Sequence, residues 1–223
     1  MPDKVYRLSR LIERRIVRTL AHLRVEGVGN VPPRGPLIVV ANHLSNMDPA
    51  VLMCAIPRRL HFLAKQDLFK PGVAQFLSAY GAFPVDNDAS HDLKGFNWCR
   101  KLLAQGGAIC IFPEGTRHRT GGMQQAIPGM ALLALRTQAT ILPVGITGTE
   151  HIGAIWRIFL PTGNFNLRIG QPFSLPVIEG RLQRPQLESF TTLIMQRVAM
   201  LLPPQYQGVY ALSAASSTKE GPR

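Results

Sequence analysis

A histidine and an aspartate stand five positions apart in Asn42-His43-Leu44-Ser45-Asn46-Met47-Asp48-Pro49. A carboxylate that holds one nitrogen of an imidazole leaves the other free to take a proton from a substrate hydroxyl. The pair therefore has the parts of a general base. It also has a plain reading, in which Asp48 only caps a helix and His43 only fills a loop. A second polar cluster, Phe112-Pro113-Glu114-Gly115-Thr116-Arg117, follows about seventy residues later. It offers a carboxylate, a glycine that permits close backbone approach, a hydroxyl and a guanidinium. Within it, Glu114 and Arg117 can also pair with each other and pin the loop.

Both clusters follow strand-like runs. Pro36 to Ala41 (PLIVVA) is almost wholly apolar and rich in β-branched residues, and Gly107 to Ile111 (GAICI) is similar. Asp48-Pro49 reads as a helix start, with Asp as N-cap and Pro in the first helical position. Polar loops at the carboxyl ends of strands point to a site on the edge of an α/β sheet. Strands are expected near 36–41, 60–64, 81–85, 107–112, 140–146 and 164–170. Helices are expected near 4–24, 49–56, 72–79, 89–105, 128–137 and 184–202. The alternation predicts an α/β fold, a single domain with a largely parallel or mixed sheet covered by helices on both faces.

The chain has 223 residues, 46% of them hydrophobic, which suits one domain with a real core and excludes a disordered protein. Its formal charge of +12 calls for an anionic partner. The charge is concentrated near the start, where Lys4, Arg7, Arg10, Arg14, Arg15, Arg18 and Arg24 face only Glu13. At helical spacing Val5, Leu8, Ile12, Ile16, Leu20 and Leu23 form one face, and Arg7, Arg10, Arg14 and Arg18 lie opposite. Residues 1–24 are thus expected to form a basic amphipathic helix on the surface of an anionic membrane. The alternative is a surface helix packed on its own domain. Residues 25–202 would form the catalytic domain and 203–223, with its Pro-Pro and Ser/Ala/Thr run, a flexible tail.

No apolar run approaches the roughly 20 residues that span a bilayer, and the start is too charged for a secretory signal. The expected location is the cytoplasmic side of a membrane, peripheral or monotopic. Nucleic acid is not expected as a partner, because aromatic residues make up only 7% of the chain and no nucleic-acid motif occurs. Cys54, Cys99 and Cys110 lack metal-like spacing and read as reduced, buried thiols.

The NHLSNMD and FPEGTR segments resemble the glycerolipid acyltransferases, a family typified by bacterial 1-acyl-sn-glycerol-3-phosphate acyltransferases. Two weaker blocks stand in the family's order, Gly81-Ala82-Phe83-Pro84-Val85-Asp86 between the strong motifs and Ile141-Leu142-Pro143-Val144-Gly145 after them. The resemblance runs from about Val25 to about Pro172. It implies an acyltransferase in phospholipid biosynthesis, with His43 as general base and Asp48 orienting it. Asn42, Glu114, Gly115, Thr116 and Arg117 would contact substrate. The donor would be acyl-CoA or acyl-carrier protein, the acceptor a lysophospholipid, and neither metal nor organic cofactor would be needed.

Two departures bear on the acceptor. The family's basic residue after the Val-Asp pair is replaced by Asn87, between Asp86 and Asp88, and the Lys expected before Gly129 is absent, with Ile127 in that stretch. Asparagine can hydrogen-bond a phosphate but brings no charge. Arg117 and Arg119 remain. The resemblance favours 1-acyl-sn-glycerol-3-phosphate, while the missing charges favour another lyso-lipid or an aminolipid. His22, His61, His91, His118 and His151 lack partner spacing, and His118 is the nearest to the second motif. Trp156, Ile158, Phe159 and Leu160 form an apolar patch expected in the core, with a membrane-facing or acyl-lining role as the alternative. Lys65 and Lys70 bracket a loop where they can meet a donor's phosphates or simply face solvent.

Overall fold

The strand Leu37–Ala41 has every side chain buried, which requires helices over both faces of its sheet. The computed structural model describes residues 2–86, 93–118, 122–153 and 155–211 and shows that arrangement. The strands are β1 (Ala21–Glu26), β2 (Leu37–Ala41), β3 (Leu60–Lys65), β4 (Ala82–Val85), β5 (Ala108–Ile111), β6 (Thr140–Thr147) and β7 (Gly163–Ile169). The helices are α1 (Pro2–Leu20), α2 (Asp48–Ala55), α3 (Val73–Ala79), α4 (Leu93–Ala104), α5 (Gly129–Thr137), α6 (Arg184–Ala199) and α7 (Pro204–Gln207). One seven-stranded sheet runs in the order β1-β7-β6-β2-β5-β3-β4. Among the named strands of the described residues, β6 and β7 are the antiparallel pair, so β1 and β7 run against the other five strands.

Alternate residues of the strands feed two cores. Leu37, Val39 and Ala41 join Val51, Met53 and Phe165 on the face covered by α1, α2 and α3. Ile38 and Val40 join Leu103, Leu133 and Ile194 on the face covered by α4, α5 and α6. Each fully buried Val, Leu or Ile stabilises the fold by roughly 1.5–3 kcal/mol relative to exposure. This burial holds the carboxyl ends of β2, β5 and β6 side by side.

The N-terminal region differs from the expected helix over 4–24. The helix stops at Leu20, and residues 21–26 form an edge strand parallel to β7. The segment Ala-His-Leu-Arg-Val-Glu alternates apolar and polar residues, a strand period. Leu23 and Val25 pack on the core from that strand. Leu20 and Leu23 also suit a helical stripe, and the longer pattern obscured the shorter one. A boundary at residue 24 therefore falls inside β1.

The face of α1 turned to the domain is not the apolar stripe. Tyr6, Glu13 and Val17 are buried there. Arg10, expected on the basic face, donates to the carbonyls of Met53 and Ile56 and so caps the end of α2. Val5, Leu8 and Ile12 remain about half exposed, at 48%, 58% and 50%.

The end of the chain also differs from a tail beginning at 203. Residues 204–210 form α7 and a short 3-10 turn, and Tyr210 is buried. Residues 212–223 lie outside the described residues, as do Asn87, Asp88, His91 and Arg119. Cys54, Cys99 and Cys110 are buried, and none forms a disulfide among the described residues.

Candidate active site

His43 leaves the end of β2 on a tight turn, and α2 begins at Asp48 with Met47 as its cap. Asp48 does not cap the helix as the sequence suggested. Its carboxylate turns back into the loop it follows. Asp48 Oδ2 accepts the backbone N–H groups of Leu44 and Ser45 at 2.7 and 2.8 Å and lies 2.8 Å from His43 Nδ1. Asp48 Oδ1 accepts the Thr149 hydroxyl at 2.5 Å. The side chain is fully buried, so these donors replace water around the carboxylate charge. The carboxylate faces Nδ1, an arrangement that favours a proton on that nitrogen and leaves Nε2 for another partner.

The ring is held from two further directions. His43 stacks on Phe112, with centroids 4.1 Å apart and planes 17° from parallel. The His43 backbone N–H donates to Glu114 Oε1 at 3.0 Å, and its carbonyl accepts the His118 N–H at 2.9 Å. The His43 side chain keeps 17% of its surface open. The stacking and the Asp48 contact thus hold the plane of a ring that stays partly open.

Glu114 is a brace. Its second oxygen accepts the Gln124 N–H at 2.8 Å. Burial pushes its carboxyl above the usual range, and the Gln124 and His43 amides pull against that rise. The alternative reading, a Glu114–Arg117 pair, does not form. Arg117 Nη1 instead donates to Asn46 Oδ1 at 2.7 Å, tying the second motif to the first. Gly115, Thr116 and Arg117 are exposed at the rim. Gly115 has φ 69°, and a Cβ there would stand 3.2 Å from Ile127 Cδ1. The uncharged Ile127 thus lies directly against the motif.

Asn42, expected at the substrate, is tied into the sheet. It is 1% exposed, and its amide bonds both the carbonyl and the N–H of Ile146, at 2.9 and 2.8 Å. It joins β2 to β6 just before His43. His118 hydrogen-bonds Thr116 through Nε2 at 2.9 Å. Lys65 and Lys70 are exposed. In the apolar patch, Ile158 is buried while Phe159 and Leu160 are exposed. Cys110 lies fully buried, and burial and the Asp48 charge push its thiol well up, which disfavours a thiolate nucleophile.

Sequence reasoning missed Thr149 and gave Phe112 no task. Thr149 stands just past β6, beyond Gly148, whose φ of 87° and close approach to Asn164 O demand a glycine. A polar residue after a glycine at the end of a buried strand was the available signal.

Residues 22–147, more than half the chain, match the family model described as Acyltransferase. The chain belongs to the Acyltransferase family. It is 32% identical over 133 residues to the 1-acyl-sn-glycerol-3-phosphate acyltransferase of Borreliella burgdorferi, covering 57% of this chain and 52% of that protein. It is 32% identical over 189 residues to the human 1-acyl-sn-glycerol-3-phosphate acyltransferase alpha, covering 78% of this chain and 66% of the relative. The crystal structure of the 1-acyl-sn-glycerophosphate acyltransferase of Thermotoga maritima superimposes with a TM-score of 0.66 at 25% identity, over 88% of this chain and 79% of the other. The chain spans about half the length of the curated relatives it matches. The His43 and FPEGTR motifs both fall inside the region of the Acyltransferase match.

Proposed function

We propose that this Acyltransferase-family chain moves a fatty acyl group from an acyl thioester, acyl-CoA or acyl-carrier protein, to the free hydroxyl of a lysophospholipid. The observation that carries this reading is the 2.8 Å contact of His43 Nδ1 with the buried Asp48 carboxylate, on a side chain that keeps part of its surface open. His43 Nε2 takes the proton of the acceptor hydroxyl as its oxygen attacks the thioester carbonyl carbon. The imidazolium is balanced by Asp48 and lies over the Phe112 ring face. Collapse of the tetrahedral adduct breaks the C–S bond. The proton then passes from Nε2 to the departing thiolate, and the imidazole returns neutral. No acyl-enzyme, metal or organic cofactor takes part.

Relatives named 1-acyl-sn-glycerol-3-phosphate acyltransferases support that lipid as acceptor and phosphatidic acid as product. Arg117 at the rim supplies a guanidinium suited to a phosphate. A second reading, a lyso-lipid with another head group, is favoured by Ile127, which sets an apolar side chain beside Gly115 where a cation would strengthen phosphate binding. A panel of lyso-acceptors with one long-chain acyl-CoA decides between them. Saturable turnover of 1-acyl-sn-glycerol-3-phosphate above all others supports the first, and product only from a different acceptor supports the second.

The substrate's home is a membrane, and α1 suits its surface. The half-exposed Val5, Leu8 and Ile12 would enter the headgroup region, with Arg7, Arg15 and Arg18 meeting anionic lipid. Among the described residues no helix is long and apolar enough to cross a membrane. In this proposal residues 4–20 attach the catalytic domain as a peripheral anchor on the cytoplasmic face of the membrane.

A further inference from the structure

After α6 the chain doubles back beside the site. α7 and the turn Gly208–Tyr210 lie against residues 122–126, the segment that follows the FPEGTR loop. The Met123 N–H donates to the Tyr206 carbonyl, and the Val209 N–H donates to the Met123 carbonyl, each at 3.1 Å. The contact is so close that a Cβ on Gly208, which has φ 53°, would stand 2.1 Å from Met123 O and 2.4 Å from Met123 N. The buried Tyr210 hydroxyl accepts the Ala126 N–H at 2.8 Å. The Tyr206 hydroxyl donates to Glu150 Oε1 at 2.6 Å, while Glu150 Oε2 is buried without a partner.

Both attachments lead to the dyad. Between Met123 and Ala126 sits Gln124, whose N–H holds Glu114, which in turn holds the His43 N–H. Next to Glu150 sits Thr149, whose hydroxyl holds Asp48. One short segment therefore ties down the two supports that reach His43 and Asp48 from opposite sides.

We propose that Pro204–Tyr210 is a positioning strap, in which Gly208 seats the segment and Tyr206 and Tyr210 fix the Glu114 loop and the Thr149 turn. These residues act through others and are positioning residues. The kinetic consequence rests on the acyl-transfer reading; the geometric claim does not.

Gly208→Ala lifts the strap without touching the dyad. Three readouts follow it, namely hydrogen exchange at the Gln124 and Ala126 amides, the ring-nitrogen resonances of His43, and kcat with KM. The amides should exchange at least about tenfold faster and the His43 resonances should move. The kcat should fall at least about tenfold while KM for the acyl donor changes less than about twofold. Tyr210→Phe removes one acceptor and keeps the ring, so it should show the same pattern at smaller size even where Gly208→Ala fails to fold. Amides protected as in the wild type, or loosened amides with unmoved His43 resonances, would overturn the strap. Wild-type kcat in a variant with loosened amides overturns it as well. A wild-type protein inert toward every acceptor defeats the acyl-transfer reading, while exchange and resonances still judge the strap.

Discussion

Asp48 and Glu13 are buried almost equally, 0% and 1% exposed, on helices that cover the same face of the sheet. Their surroundings are opposite. Asp48 receives two backbone amides, a hydroxyl and an imidazole. Glu13 receives the Tyr80 hydroxyl at 2.6 Å on one oxygen, and its other oxygen is buried without a partner. Burial pushes the Glu13 carboxyl above its usual range, with the Tyr80 bond opposing. The first environment surrounds its carboxylate with donors. The second disfavours charge and serves to seat a helix. The contrast separates the region proposed to do chemistry from the region proposed to set where the molecule sits.

Breaking the Asp48 environment should have the largest effect among the carboxyl and anchor variants. Asp48→Asn keeps the shape but removes the charge that balances an imidazolium and selects the tautomer. Acyl transfer should fall by about 10²–10⁴, read as kcat. An intermediate effect is expected at α1. Leu8→Glu with Ile12→Glu puts charge on the outward stripe and leaves Tyr6 and Val17 in place. Partition onto anionic liposomes should weaken by at least about tenfold, while turnover in detergent micelles stays within about twofold. Unchanged partition would assign the stripe to something other than lipid.

The smallest effect should come from Glu13. A carboxyl whose folded pKa is raised contributes stability that is present below its unfolded value, near 4.5, and is lost as pH rises through the folded value. Glu13→Gln removes that dependence. The melting temperature of the wild type should therefore fall relative to the variant as pH rises above the ordinary carboxyl range, by a few degrees. A difference that stays flat with pH would place the charged form comfortably in the fold.

The two regions were not equally legible. The sheet interior was plain in the sequence, because β2 and β6 are continuous apolar runs bounded by breakers, and their observed limits differ from the expected ones by one residue. The pairing of His43 with Asp48 was also readable, since five residues between a strand end and a helix start leave little room to separate them. The turn of Asp48 back toward its own loop was not readable, because sequence does not show which amides a carboxylate will face. For Asn42 the partner was unreadable for a similar reason. Its polarity looked available to a substrate, but a neighbouring strand, distant in sequence, uses both edges of its amide. In α1 the apolar stripe was legible and its direction was not. Packing through Tyr6, Glu13 and Val17 depends on partners in α2, α3 and β3 that no helical pattern encodes. The strap was hidden altogether, since Pro203-Pro204 and the Ser/Ala/Thr run beyond it look alike as loose chain until Gly208 is seen against Met123.

The most direct test of the account is acyl transfer from a long-chain acyl-CoA to 1-acyl-sn-glycerol-3-phosphate in liposomes, comparing the wild type with His43→Ala. The expected result is phosphatidic acid from the wild type and a loss of at least about 10³-fold in the variant, with the melting transition and liposome binding kept. Full turnover by His43→Ala would contradict the dyad as the seat of the chemistry.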